Sequence, residues 1–352
     1  MVTPFDGIVG HAGVVELLER ELERAAQSYL FVGPTNVGKA TIARRFAAAL
    51  LCGDDAACFD RATSGKHPDL ILVEPEGRAS ITVDQARRVV SQATRSPLES
   101  NRKLFLFEEG GMMNDEAANA LLKTLEEPTQ ASVFVIVAET EDDLPDTIAS
   151  RCRTVVFGRV SDGEVADGLA ALGIAADQAN EAARIAGGRP GLALALATEP
   201  RVADYRRFWL SLPMQLGDQP GDAFRLADEA VVSTEPLLEA LKNRQQEERN
   251  ALGDDVTKAF QDRQARELKR ATSALHFTGL EILASFYRDV AAAQFGVPVR
   301  NTDVSVASLS SITPRRAVMG ADRVLTAIDA LATNQRPQLA FANLFADLAA
   351  DA

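Results

Sequence analysis

Four short apolar runs in the first half of the chain, each followed by an amphipathic stretch, constrain its fold more than any other feature. The runs occupy residues 28–32, 69–73, 103–107 and 132–138. Each has the length of a buried strand, and the stretches between them, such as Val14 to Ala26 and Asp115 to Leu125, have helical periodicity. Strands separated by helices predict βα units around a buried, mostly parallel sheet.

The pattern changes after about Gly158, where Ala- and Leu-rich helical periodicity replaces the strand signals. GDQPG at 217–221 predicts a loop between helices. The length of 352 residues agrees with two or three domains. We therefore expect an α/β part followed by an all-α part: a sheet domain over residues 1–158, a small helical domain over 159–203 and a helical bundle over 204–352.

Composition narrows the class of protein. Hydrophobic residues make up 46% and charged residues 25%, and no apolar run approaches the roughly 20 residues of a membrane span. The start, MVTPFDGIVG, has no basic segment followed by an apolar stretch, so we expect a cytoplasmic protein that does not enter a membrane. The net charge of −13 argues against a broad basic DNA-binding face, and any DNA contact must be local or shared with partners.

Residues 33–40, GPTNVGKA, follow the first apolar run and precede a helical stretch. This order of strand, glycine-rich loop and helix is typical of a nucleotide-binding loop. Gly33 and Gly38 let backbone N–H groups turn toward phosphate oxygens, and Lys39 has the length to reach the terminal phosphates. The loop predicts a site for a nucleotide.

Two positions depart from the pattern of a hydrolytic enzyme. Ala40 stands where a Ser or Thr hydroxyl ligates Mg²⁺, and Thr41, one residue later, points about 100° away. Glu108 and Glu109 end the run at 103–107, where the first acid of a P-loop ATPase holds Mg²⁺ and the second orients water. The first is usually the shorter Asp. We expect weak binding without hydrolysis, and the need for Mg²⁺ stays open.

Four segments resemble the clamp-loader subunits of the AAA+ family. They are FDGIVGHAGVVELL at 5–18, HPDL at 67–70, NDEAANALLKTLEEP at 114–128 and DLPDTIASRC at 143–152. In that family the Ser-Arg-Cys triplet carries an arginine finger that projects into the ATP site of the adjacent subunit. The resemblance therefore assigns a catalytic role in trans to Arg151, whose guanidinium matches phosphate oxygens bidentately.

The same resemblance implies further binding residues and names the three domains as AAA+ module, lid and collar. Thr140 is similar to the first sensor residue, which lies near the γ-phosphate, and Arg189 in GGRPG is similar to the second sensor on the lid. Val9 matches the stretch that borders the adenine. YRD at 287–289 and NQRPQLAFANLF at 334–345 look like the collar.

The three cysteines are Cys52, Cys58 and Cys152, too few and too unevenly placed for a disulfide framework. We expect free thiols. Clamp-loader relatives commonly carry four zinc-ligand cysteines after the phosphate-loop helix, whereas this chain keeps Cys52 and Cys58, with His67 as a remote third candidate. Because structural zinc takes four ligands, we expect no zinc.

Within the family, the hydrolytic subunit keeps the Ser/Thr and an Asp-Glu pair, and the delta-prime subunit often does not. We therefore expect a delta-prime-like clamp-loader subunit of the bacterial DNA polymerase III complex. Its implied partners are the gamma/tau and delta subunits, the sliding clamp indirectly, and primer-template DNA within the complex. The alternatives are a motor ATPase of the gamma/tau type or a branch-migration helicase, and a P-loop kinase or other small-molecule transferase, for which the sequence has no acceptor-binding motif.

Overall fold

The computed structural model describes residues 3–34, 37–75, 80–217, 219–252, 258–333 and 335–350. The chain divides into two compact units, Met1–Ala197 and Thr198–Ala352. In the described part of the chain, no helix combines the length and the apolar character needed to cross a membrane.

The first unit alternates helices and strands. In chain order it contains α1 (Ala12–Glu23), β1 (Ser28–Val32), α2 (Lys39–Cys52), α3 (Ala56–Thr63), β2 (Leu70–Leu72), α4 (Val83–Ala93), β3 (Lys103–Phe107), α5 (Asp115–Glu126), β4 (Ser132–Val137), α6 (Asp146–Ala149), β5 (Arg153–Val156), α7 (Asp162–Ala171), α8 (Ala176–Ala186) and α9 (Pro190–Thr198). The four apolar runs form β1 to β4, as predicted. The fifth strand, β5, was not predicted, because its sequence contains no comparable apolar run.

The five strands are parallel, in the order β2-β3-β4-β1-β5. Alternate side chains enter two cores, so that Tyr29 and Phe31 of β1 pack toward α1, α2 and α3, whereas Leu30 packs toward α4 and α5. Phe105 and Phe134 stack across β3 and β4, with ring centroids 5.0 Å apart. Burial of the sheet on both faces explains why its strands read as continuous apolar runs.

Side-chain caps explain where several helices begin. Thr82 and Gln85 form a capping box at the start of α4, and Ser161 with Glu164 does the same for α7. The side chain of Asn114 accepts a hydrogen bond from the backbone N–H of Ala117, 2.8 Å away, and so starts α5 one short turn after the acidic end of β3.

Helices α7 to α9 form a small core of their own within the first unit. Val165, Leu169 and Ala183 are among its buried members. Val9 packs against this core, and a side chain at Gly168 of α7 would collide with Val9. The division of the chain at 158 and 203 stays a prediction, since these helices belong to the same compact unit as the sheet.

Helices are the only regular secondary structure among the described residues of the second unit, which confirms the predicted order of an α/β part and an all-α part. Its helices are α10 (Pro200–Gln215), α11 (Pro220–Val232), α12 (Glu235–Leu252), α13 (Lys258–Gln294), α14 (Val306–Ser310), α15 (Pro314–Ala332) and α16 (Pro337–Ala350). Trp209 is fully buried between Phe341 and Phe345. A Cβ at Gly279 would lie 2.1 Å from the Trp209 ring, so α13 needs a glycine there.

Three of the predicted segments reach beyond the described residues. The glycine-rich loop at 33–40 includes Thr35 and Asn36, the loop expected at 217–221 includes Asp218, and the segment resembling the collar begins at Asn334; these four residues lie outside the described ranges. The rest of that segment enters α16, where Phe341 and Phe345 face the core.

Candidate nucleotide site and arginine groove

The glycine-rich loop begins where three strands end together. The N–H of Gly33 donates to the carbonyl of Glu139, 2.9 Å away, directly after β4. Gly33 has a φ of 149°, and a Cβ there would lie 2.1 Å from the carbonyl oxygen of Phe157, after β5. Only glycine fits both the conformation and the space. The loop therefore leaves β1 at the carboxyl end of the sheet, where open α/β folds bind ligands.

Lys39 starts α2 behind Gly38, as the motif predicts, but its ammonium group turns back into the loop. Nζ donates to the carbonyl oxygens of Gly33 and Pro34, 2.5 and 2.6 Å away, and the residue is 8% exposed. Burial lowers the pKa of Lys39, against the opposing influence of the carboxylates of Glu139 and Asp143. The cation predicted to bind phosphate is held by its own loop.

Thr140 lies at this edge of the sheet, where its hydroxyl donates to Oδ1 of Asp143 at 2.9 Å. The backbone N–H groups of Glu139 and Thr140 donate to the other carboxylate oxygen of Asp143 at 2.8 and 3.0 Å. Burial raises the pKa of Asp143, but these hydrogen bonds and the nearby Lys39 outweigh it and leave the pKa below its ordinary value. The predicted sensor residue is thus tied to an acid beside Lys39.

The predicted metal-binding acid is already paired. Glu108 directly follows β3 at the carboxyl edge, and its Oε1 accepts hydrogen bonds from Nε and Nη2 of Arg44 on α2, at 2.8 and 2.6 Å. Ala40 is half-buried on the same helix, and Thr41 is exposed. Glu109, the second predicted acid, is half-buried next to Glu108.

Val9 and Arg189, the predicted neighbours of the base and the phosphates, both contact the small helical core. Arg189 lies just before α9 and is 8% exposed, and its Nε donates to the carbonyl of Ala186 at 2.9 Å. The roles that the resemblance assigns to Val9 and Arg189 stay predictions.

Arg151 lies at the opposite end of the sheet, in the turn between α6 and β5. Its guanidinium donates to the carbonyl of Thr147, 2.6 Å away, and pairs with the carboxylate of Glu126 at the end of α5. The side chain is 32% exposed. Arg151 is therefore a surface cation, and both residues that accept its hydrogen bonds are exposed.

A groove of about 400 Å³ opens beside Arg151 at the amino end of the sheet. Arg153 also lines it and pairs with Glu21 of α1 at 2.6 Å. The hydroxyl of Ser28 is buried in this wall and has no hydrogen-bond partner among the described residues. Cys152 points inward against the second core, and burial raises the pKa of its thiol to about 12. The groove is therefore lined by the side chains of Arg151 and Arg153 at its opening and by Ser28 and Cys152 in its wall.

The expectation of free thiols is wrong for Cys52 and Cys58, which form a disulfide with a Cα–Cα distance of 5.5 Å. Cys52 ends α2, and the short turn into α3 brings Cys58 back beside it. This return is a tertiary feature that the spacing of the cysteines does not reveal. A nitrogen of His67 lies within 4.8 Å of the sulfurs, but cysteines joined to each other do not supply the thiolates that zinc binds.

The parallel sheet and the glycine-rich loop at its carboxyl edge have the architecture of P-loop folds. The family described as DNA polymerase III, delta subunit, matches residues 10–161. The matches confirm, over the segment they cover, the resemblance to the clamp-loader family and to its delta-prime members.

Individual relatives agree with the family match. DNA polymerase III subunit delta-prime of Bacillus subtilis is 36% identical over 165 residues, 44% of this chain and 50% of the relative. The delta-prime subunit of Pseudomonas aeruginosa is 39% identical over 137 residues, 36% of this chain and 42% of the relative. The tau subunit of Bacillus subtilis is 31% identical over 45% of this chain and 29% of its own length. The chain spans about half the length of the curated relatives it matches.

Among solved structures, a DNA polymerase III gamma subunit-related protein from Thermotoga maritima aligns over 95% of this chain and 98% of its own, with 21% identity and a TM-score of 0.44.

Four residues of these sites were missed from the sequence. Arg44, Glu139 and Asp143 surround the loop, and Glu126 holds Arg151. A signal existed for Arg44, since it follows Ala40 by four residues and so lies on the same helix face. The acids have no such local signal.

Proposed function

We propose that this chain is a delta-prime-like subunit of a bacterial clamp loader. In this role it assembles with gamma/tau and delta subunits, helps to place the sliding clamp on primed DNA, and supplies Arg151 to the ATP site of a neighbouring subunit. It hydrolyses little or no ATP itself. The proposal includes a cytoplasmic location, which the bacterial replication relatives support.

The observation that carries the proposal is the position of Arg151 relative to Lys39. Arg151 precedes the first residues of β5, which pair with the beginning of β1, whereas Lys39 follows the end of β1. The four residue steps of β1 alone separate the two ends by about 13 Å. An arginine at the amino end of the sheet is badly placed for its own loop and accessible to another subunit.

The surroundings of Arg151 also suit transfer to a new partner. The pair with Glu126 is exposed, and such pairs contribute little stability, typically about 0–1 kcal/mol. A triphosphate offers the guanidinium more negative charge than one carboxylate does, and it accepts the same forked hydrogen bonds. A neighbour's nucleotide can therefore displace Glu126 at small cost.

The test is clamp-loading rate and DNA-stimulated ATP hydrolysis of a reconstituted loader that contains wild-type chain, Arg151→Ala or Arg151→Lys. Loss of an arginine finger lowers turnover about 10³-fold or more at the affected site in GTPase-activating systems. A loader with several sites should lose the share of that one site. Lysine should rescue poorly, because an ammonium group lacks the planar fork.

Arg20→Ala is the matched control, since Arg20 is also an exposed arginine paired with a glutamate on the same unit. Assembly of each loader is checked by size-exclusion chromatography. Equal rates for wild type and Arg151→Ala, with assembly intact, would refute the role in trans.

A second candidate, a motor ATPase of the gamma/tau type, is favoured by the match to the tau subunit of Bacillus subtilis. Steady-state ATP hydrolysis by the purified chain separates the two. The delta-prime-like role predicts negligible turnover because Ala40 supplies no hydroxyl to Mg²⁺. A metal-dependent turnover of about 1 s⁻¹ would favour the motor.

We also propose that the second unit is the collar through which the chain joins its partners. Its helices bury a core of their own around Trp209, which supports an independent assembly module. Deleting residues 198–352 should abolish incorporation into the loader while nucleotide-site and sheet folding persist, as judged by circular dichroism. Incorporation at full affinity would contradict the collar assignment.

A further inference from the structure

The family implies Mg²⁺ at the phosphate loop, but the residues of this chain do not fit it. A P-loop site holds the metal through a hydroxyl after the lysine and an acid at the end of a neighbouring strand. Here the first position is Ala40, which has no ligand atom, and the second is Glu108, whose Oε1 accepts both donors of Arg44. Mg²⁺ requires near-octahedral oxygen coordination, and this pair leaves it poorly supplied.

Arg44 reaches the metal position because of its place on α2. It follows Ala40 by four residues, and four steps of about 100° bring its side chain within about 40° of the same direction. Side chains on a helix also lean toward its N-terminus, so that Arg44 extends back toward the turn of Ala40 and the loop. Because Ala40 has no hydroxyl, no side-chain oxygen of residue 40 occupies the space into which the guanidinium of Arg44 extends.

The Arg44–Glu108 pair has a more buried acid than the Arg151–Glu126 pair, since Glu126 is 45% exposed. The two side chains are 34% and 20% exposed, and two charge-assisted hydrogen bonds at 2.8 and 2.6 Å join them. A metal ion entering here would have to displace a fixed cation from its acid. Lys39, buried in the same loop, adds a second fixed positive charge. A guanidinium therefore already occupies the acid that would hold a metal.

We propose that this site binds a nucleoside polyphosphate without a divalent metal, with Arg44 as the fixed cation in place of Mg²⁺. In this complex the phosphates accept the hydrogen bonds that the ammonium group of Lys39 otherwise donates to the carbonyl oxygens of Gly33 and Pro34. The guanidinium of Arg44, held next to Glu108, supplies the second positive charge beside the phosphates. This inference rests on the proposed non-hydrolytic role of the nucleotide site and names the ligand of that site.

The test is isothermal titration calorimetry of the full chain with ADP, once with Mg²⁺ and once with EDTA. The proposal predicts dissociation constants that agree within about twofold, whereas a metal-dependent site would bind at least about tenfold more tightly with Mg²⁺. A tenfold preference for Mg²⁺, or no binding of ADP in either buffer, would overturn the proposal.

Substitutions assign the effect to Arg44. Arg44→Met should weaken ADP binding in EDTA by about tenfold or more. Arg61→Met is the matched control, because it removes another arginine that donates to a glutamate of the same unit, Glu99 at 2.8 Å, and should leave binding unchanged. Equal affinities for Arg44→Met and wild type in EDTA would overturn the proposal.

A double variant tests whether the metal site can be restored. Ala40→Thr with Arg44→Met returns the hydroxyl and frees Glu108, and ADP should then bind more tightly with Mg²⁺ than with EDTA. Glu108→Gln covers the case in which Arg44→Met does not fold, since it keeps the guanidinium. It should bind ADP in EDTA at least as tightly as wild type, and a loss of binding would count against Arg44.

Failure of this inference is distinguishable from failure of the proposed function. Binding of ADP is measured on the isolated chain, whereas the Arg151 experiment measures hydrolysis at a neighbour's site. Either result can stand without the other.

Discussion

The two ends of the central sheet use the same kinds of charged side chain in opposite ways. At the carboxyl end, Lys39 is 8% exposed and bound by its own loop, and Arg44 donates twice to Glu108. At the amino end, the side chains of Arg151 and Arg153 are 32% and 49% exposed beside an open groove. The cations at both ends are paired within the chain, but Lys39 is buried and Glu108, the partner of Arg44, is 20% exposed, whereas Glu126, the partner of Arg151, is 45% exposed.

Burial explains why this difference matters for function. Separating a buried charge from its partner is costly, because the group left behind has lost its water, whereas exposed pairs exchange partners easily. The carboxyl end is therefore suited to hold a fixed arrangement, and the amino end to meet another molecule.

Cys152 tests whether the arginine groove has a rigid base. Burial raises the pKa of its thiol to about 12 from 9.0, so that its thiolate should be about 10³-fold rarer at pH 8 than in the unfolded chain. Alkylation by iodoacetamide should be slowed to the same degree, with the chain in denaturant as the control. Alkylation of the native chain at the unfolded rate would mean that the turn carrying Arg151 is not anchored.

Asp69 directly precedes the edge strand β2 and so lies at the amino end of the sheet, where its substitution gives a second test. Its carboxylate is fully buried and accepts the backbone N–H groups of Leu98, Glu99 and Ser100 at 2.7 to 2.9 Å. Asp69→Asn replaces one acceptor oxygen by an NH₂ donor, which should destabilise the chain by about 2–3 kcal/mol in urea unfolding. A loss below about 0.5 kcal/mol would show that this loop is held by other contacts.

The same variant has a pH signature. Burial raises the pKa of Asp69, but the three backbone hydrogen bonds outweigh it and leave the pKa below its ordinary value. A depressed pKa contributes stability that is present above the unfolded value and lost as pH falls through the folded value. The difference in stability between wild type and Asp69→Asn should therefore shrink on acidification below about pH 4. A difference that is independent of pH would contradict this origin.

The smallest effect is expected when the two arginine–glutamate pairs are compared directly. Double-mutant cycles with Met for arginine and Gln for glutamate should give a coupling below about 1 kcal/mol for Arg151 and Glu126. The less exposed pair of Arg44 and Glu108 should couple by about 1.5 kcal/mol or more. Equal couplings in urea unfolding would remove the contrast between the two ends of the sheet.

Local sequence was sufficient for the parts of the protein that depend on neighbouring residues. Strands buried on both faces must be apolar throughout, so the runs at 28–32 and 103–107 were readable as β1 and β3. The loop with Lys39 was readable because glycine spacing and the following helix are adjacent in the chain. β5 was not, because it is short and its first and last residues, Arg153 and Val156, are exposed.

Contacts between distant residues required the tertiary structure. Glu108 and Arg44 are 64 positions apart, and they meet because the strand order brings the end of β3 toward the helix that follows β1. The spacing of Cys52 and Cys58 suggested free thiols, yet the turn between α2 and α3 joins them.

Helix and strand periodicity is local, so the amino-acid order is enough to place each cation of this protein on its helix, strand or loop. Which carboxylate or carbonyl holds each cation depends on contacts between distant residues, which the packing of the whole sheet sets. Charge pairing depends on the order in which parallel strands are laid side by side, and that order is set by burial of the whole sheet rather than by any segment of it. Lys39 and Arg151 are both conspicuous in the sequence, and the fold turns one inward and leaves the other at the surface.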